Sequence, residues 1–227
     1  MSIDDSFACL EDASHRPAAW SPATIPHRLI EVAVAGALAA VLLNLVWLEL
    51  RPDIAQAPTH ALFWMKAFYS GGLALTALYA TTVLTRPFGS VRVPLALGGA
   101  LVMAVLIAAV LQAARMDAAP LARLLRPEGI AASLFNIVAL EAPMLVLATL
   151  GLRRIDLERP IAMGLAAGLF CGGVATTAYG LHCPHETYVF VGLAYTAGIA
   201  LCGGIGAGAL VVARSLAPSG RSRGGGA

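Results

Sequence analysis

The chain has 227 residues, 59% of them hydrophobic and 12% charged, against about 45–50% and about 25% in an average soluble domain; the mean hydropathy is +0.79. This is the composition of an integral membrane protein, and it leaves no room outside the membrane for a soluble domain of ordinary size, roughly 50–250 residues, so a large extramembrane enzyme is excluded. With 15 basic and 13 acidic residues the net charge is +2, too small and too dispersed for a nucleic-acid footprint.

Residues 1–28 form an N-terminal tail. Asp4, Asp5, Glu11 and Asp12 stand where a cleavable signal peptide would carry positive charge, and the apolar run that follows exceeds the roughly 7–15 residues of a signal core, so the segment is expected to be retained. Ser2 can cap a short helix with Asp4 and Asp5 in its first turn, where acidic groups suit the helix dipole. Ile3, Phe7 and Leu10 then share one face beside Glu11 and Asp12, a spacing with which a short helix docks into a groove on a partner. So short a helix is marginal alone in water, and a disordered tail is the competing reading. Pro17, Pro22 and Pro26 suggest an extended spacer towards the membrane.

A bilayer core needs roughly 20 mostly apolar residues per helix. Six stretches qualify, near 29–50, 61–84, 93–111, 130–152, 160–181 and 188–212, and they predict an all-α bundle of six transmembrane helices over residues 29–212, followed by a flexible tail over 213–227. Prolines punctuate the breaks at Arg51-Pro52-Asp53, Arg86-Pro87, Arg126-Pro127 and Arg159-Pro160, because proline removes a backbone donor and disfavours helix in the residue before it. Arginines decide the orientation, since cytoplasmic segments are rich in Lys and Arg. Ten fall on the side of the termini (16, 28, 86, 92, 153, 154, 159, 214, 221 and 223) and four on the other (51, 115, 123 and 126). Both termini are therefore expected in the cytoplasm, and the connection before the last helix faces outward, which is the periplasm if the membrane is a bacterial inner one.

In the fifth stretch Gly164, Gly168 and Gly172 recur every four residues, and in the sixth Gly204 and Gly208 do the same, which predicts a close hairpin through small faces. Among intramembrane polar residues, Glu31, Glu49 and Lys66 lie near the surfaces, where long side chains reach water. Glu141 falls mid-membrane with Asn44 and Asn136 as candidate partners. A carboxylate there is costly unless paired, protonated or wet, so it reads either as hydrogen-bonded packing or as part of a proton or ion path.

The densest polar cluster is His182-Cys183-Pro184-His185-Glu186. Three readings stay open for it. Cys183, His182 and His185, with Glu186, offer ligands for a transient heavy-metal ion, although adjacent residues rarely close a four-ligand site; His60 or Glu49 would have to share it. An exposed thiol beside two histidines reacts readily as thiolate. Otherwise the stretch is a turn facing water. Cys171 and Cys202 read as small packing residues. No P-loop or H-E-x-x-H is present, so no enzymatic activity is expected.

Tyr179-Gly180-Leu181-His182-Cys183-Pro184-His185-Glu186 with Phe190-Val191, preceded by Arg51-Pro52-Asp53, Phe63-Trp64-Met65-Lys66, Arg86-Pro87 and Arg159-Pro160 in order, resembles the NrsF-type membrane anti-sigma factors. The resemblance implies a six-helix inner-membrane protein that sequesters an extracytoplasmic-function sigma factor and releases it under metal or oxidative stress; apart from the transient heavy-metal ion, no cofactor is expected. It also implies two outward sensor cysteines. Cys183 matches one; Ser133 occupies the position of the other, so the family's intramolecular disulfide cannot form. Ile3, Asp4, Asp5, Phe7, Leu10, Glu11 and Asp12 then form the partner-binding face, with the Arg153–Arg159 connection as a candidate aid, and association of copies stays open. A small transporter or channel using Glu141 and a membrane redox carrier are the rival readings.

Overall fold

The computed structural model describes residues 21–216 except positions 50, 87, 154 and 156. Six helices are long and apolar enough to cross a membrane: α1 (Ile25–Leu48), α2 (Ala61–Leu84), α3 (Arg92–Ala113), α4 (Pro127–Leu152), α5 (Pro160–Tyr179) and α6 (Tyr188–Ser215). A short helix, Ala118–Leu124, precedes α4. Proline opens α4 and α5 and lies at the start of α1, where its missing N–H has no helical partner to lose. α1 begins four residues before the boundary expected from hydropathy, because Ile25 and Leu29 are buried and extend the apolar face into the bundle.

α5 is the central helix. Two thirds of its most apolar window is buried, 67% against 17–33% for the other five, and it packs most extensively on α6 and α2. Small residues make this closeness attainable. A Cβ added at Gly168 would lie 2.4 Å from the Cys202 carbonyl oxygen, and one added at Gly173 2.9 Å from that of Ser70 on α2. Glycine thus serves two faces of one helix. On α6 the expected face is corrected: a Cβ at Gly204 or Gly208 would meet nothing within 4 Å, whereas one at Gly206 would fall 2.5 Å from the Gly164 carbonyl oxygen. The face in contact is that of Cys202, Gly203 and Gly206. Small residues occur all round this stretch, so spacing alone did not distinguish one face from another.

Large apolar side chains such as Leu38, Phe68, Leu75 and Val110 point out of the bundle, as a lipid surround requires. The interior holds Asn44, Lys66, Ser70, Thr81, Ser133, Glu141 and Thr176. Two π-turns interrupt otherwise regular helices, Asn44–Leu48 at the end of α1 and Val191–Tyr195 in α6; such turns re-aim side chains and are frequent at functional sites. Both lie at the end of the bundle that carries Cys183.

Candidate functional site

α5 does not stop cleanly at Tyr179. The N–H groups of Gly180, Leu181, His182 and Cys183 bond back to carbonyls of Thr176, Ala178 and Tyr179, so the chain coils for one more turn. Residue 183 therefore lies over Tyr179, on the buried side of the helix. Its side chain is 1% exposed, which corrects the expectation of an exposed thiol. Tyr179 and Tyr195 belong to the same buried cluster.

The connection between α1 and α2 closes over this turn. Arg51 is the fastener: its side chain is 2% exposed, Nε and Nη2 donate to the two Asp53 carboxylate oxygens at 2.6 Å each, and Nη2 also donates to Glu186 Oε1 at 2.9 Å. The planar guanidinium fork suits this bidentate geometry. Its backbone N–H donates to the Leu181 carbonyl at 3.2 Å, and His60 Nδ1 stands 3.6 Å from Glu186 Oε2. His182 Nδ1 lies 2.9 Å from the Glu49 carbonyl oxygen; a carbonyl can only accept, so the proton is on Nδ1. Glu49 has φ +62°, a left-handed conformation that costs a non-glycine residue energy and turns the chain from α1 towards Arg51. From below, Lys66 Nζ donates to the Cys183 carbonyl at 3.1 Å. Lys66 is 1% exposed and does not reach water as expected, because this carbonyl supplies an acceptor beneath the surface.

His185 stacks on Phe190, with ring centroids 4.3 Å apart and planes at 12°, and its Nδ1 lies 3.8 Å from Cys183 Sγ. Burial, and then the charge of Lys66, lower the His185 pKa below its ordinary 6.5. The Arg51 hydrogen bond holds Asp53 down at about 2, and Asp53 in turn raises Arg51. Among the described residues no three His, Cys, Asp or Glu side chains gather as a metal site. His182 is turned to Glu49 and Glu186 is engaged by Arg51, so a metal shared by His182, Cys183 and His185 needs the latch to open first.

Ser133 is buried on α4. Its hydroxyl donates to the Gly129 carbonyl at 2.9 Å and accepts from the Tyr179 hydroxyl at 3.0 Å. Tyr179 also accepts the Cys183 N–H on its carbonyl at 3.1 Å, and its ring lies 5.7 Å from that of His182. Positions 133 and 183 thus lean on one tyrosine. Glu141 is 0% exposed, and neither oxygen has a hydrogen-bond partner. The expected pairing with asparagine is not made: Asn44 Nδ2 donates to the Ala178 carbonyl at 2.9 Å, and Asn136 is half-buried. Ile3, Asp4, Asp5, Phe7, Leu10, Glu11 and Asp12 lie outside the described residues. Sequence reasoning missed Arg51 and Lys66 as parts of the site; the signal available was that Lys66 is the one lysine of the chain and falls within an apolar run.

Residues 14–217 match the family described as "Negative regulator of sigma F". The chain belongs to the NrsF family. A relative from Caulobacter vibrioides named "Anti-sigma-F factor NrsF" is 39% identical over 207 residues, covering 91% of this chain and 95% of its own length. Another from Azospira oryzae, "Probable anti-sigma-F factor NrsF", is 32% identical over 174 residues, covering 75% and 80%. No solved structure matches. The NrsF match spans all six long helices and both halves of the latch, the 49–60 connection and the Cys183 turn.

The latch is expected to weaken in acid. A histidine whose pKa is lowered in the closed state binds its proton better in the open one, so the closing contribution is complete above about 6.5 and declines as pH falls below it. Asp53 adds a second loss as pH falls from its ordinary 3.8 towards about 2. The rate at which 2,2′-dipyridyl disulfide modifies Cys183, normalised at each pH to a free-thiol peptide and read site by site by mass spectrometry, should rise between pH 8 and pH 5.5. In His185→Gln that first rise should vanish. A flat normalised rate in the parent protein would show that His185 does not titrate against closure.

Proposed function

We propose that this chain is a membrane-bound anti-sigma factor of a bacterial inner membrane, which holds an extracytoplasmic-function sigma factor on its cytoplasmic face and frees it when the outward Cys183 turn responds to a metal ion or an oxidant. The observation that carries the reading is the family match over residues 14–217, together with the anti-sigma-F names of its relatives. The role is regulatory and involves no catalysis. The arginine asymmetry supports both termini in the cytoplasm, with the tail face of Ile3, Asp4, Asp5, Phe7, Leu10, Glu11 and Asp12 as the binding surface, assisted by the Arg153–Arg159 connection.

On the other side the latch supports a gated sensor: while Arg51 is fastened, the Cys183 thiol is covered; once it opens, Cys183, His182 and His185 are available to a soft metal ion, or Cys183 alone to oxidation. Serine at 133 removes the intramolecular disulfide, so a single thiol carries the response. A crosslinked pull-down from native membranes, with and without residues 2–26, tests the central claim. Recovery of a sigma factor with the full-length chain and its loss on truncation is the expected result. Failure to recover one in either sample overturns the reading.

A further inference from the structure

A groove of about 780 Å³ runs between α1, α2 and α5, within the roughly 300–1,000 Å³ of ligand sites. It opens outward between exposed Trp64, Phe68 and Leu75, where the apolar surface of the bundle meets lipid. Its wall is apolar apart from two side chains, Thr177 and Lys66, and Lys66 is the one that ionises. Among the described residues no carboxylate lies within ion-pair distance of Lys66. An ammonium has three donors, and the Cys183 carbonyl takes one of them. A buried cation with so little compensation is costly, and the groove is the direction from which an anionic acceptor can arrive.

The shape narrows the occupant. Lys66 is five residues into α2, roughly 7.5 Å below its first residue at 1.5 Å per residue, and beneath the tryptophan at position 64. A compact head with one chain reaches that depth without carrying a glycerol and phosphate past the aromatic rim. We propose that the groove binds a long-chain carboxylate, a fatty acid, whose chain lies along α2 and α5 and whose carboxylate accepts from Lys66. Binding stands apart from the regulatory reading. Its consequence bears on that reading, because the same ammonium holds the Cys183 carbonyl, so an occupant of the groove acts directly on the underside of the latch.

The test uses full-length protein with Trp20→Phe and Trp47→Phe, leaving Trp64 as the reporter, in phosphatidylcholine nanodiscs. The probe is 9,10-dibromostearate, whose bromines quench tryptophan. Saturable quenching is expected, and its methyl ester should quench only in linear proportion, as a solute of the bilayer. Lys66→Gln should weaken the saturable component about tenfold or more, the loss of one charge-assisted hydrogen bond. Gly71→Leu should abolish it by filling the groove, and this variant should fold, because a Cβ at Gly71 meets nothing within 4 Å. Equal saturation by the ester, saturation by dibrominated phosphatidylglycerol but not by the fatty acid, or unchanged quenching in both variants would each overturn the proposal.

Discussion

Gly168→Leu is expected to pull α5 away from α6 and to lower stability by the upper end of the roughly 1–3 kcal/mol that overpacking costs, or more. The added Cβ would start 2.4 Å from the Cys202 carbonyl oxygen and 3.0 Å from the Gly203 Cα. Both are backbone atoms, so no rotamer change relieves the clash and the helices themselves must part. Gly204→Leu is the control: its Cβ meets nothing within 4 Å, and a change within about 0.5 kcal/mol is expected. Unfolding in mixed micelles with increasing dodecyl sulfate measures both. The first variant should also lose protection of Cys183, because the turn that carries this thiol joins these two helices. Equal stability of the two variants would mean that the close approach of α5 and α6 does not hold the bundle together.

The second large effect is expected from Arg51→Met. Removing the guanidinium leaves Asp53 and Glu186 facing one another without a cation, and takes away the side-chain link between residues 135 apart in sequence. Closure over Cys183 should weaken by at least about 1.4 kcal/mol, which raises the open population tenfold. The rate of Cys183 modification by 2,2′-dipyridyl disulfide should increase in proportion. Glu186→Gln should have a smaller effect, since Asp53 still engages Arg51 through two hydrogen bonds. In the double variant the effects should not add, because both changes break one contact. Unaltered protection in Arg51→Met would show that the turn stays closed through the Lys66 and His182 bonds without it.

These two sites illustrate what can be read at which level. Six spans, their order and their approximate ends are legible from the sequence, because the length of an apolar run and the prolines that end it are local properties of the chain. The observed helices begin and end within a few residues of the hydropathy boundaries. The glycine ladder of α5 is equally legible, since one helix supplies its whole period. So is the family, carried by an ordered series of short motifs and borne out by the match over residues 14–217.

The orientation of a polar group inside the bundle is a different kind of fact. Cys183 read as exposed because its neighbours are polar, yet one additional helical turn after Tyr179 carries it to the buried side. Lys66 read as a residue that reaches water, yet a carbonyl 117 positions later in the chain holds it within the protein. Arg51 read as the punctuation of a helix end, yet it closes the site. The α6 face read as that of Gly204 and Gly208, yet the one packed on α5 is that of Cys202, Gly203 and Gly206. Composition, span and family follow from nearest neighbours in sequence and are determined by the sequence itself. Burial, hydrogen-bond partners and the latch depend on segments far apart in the chain meeting at one end of the bundle, and only the tertiary structure decides them.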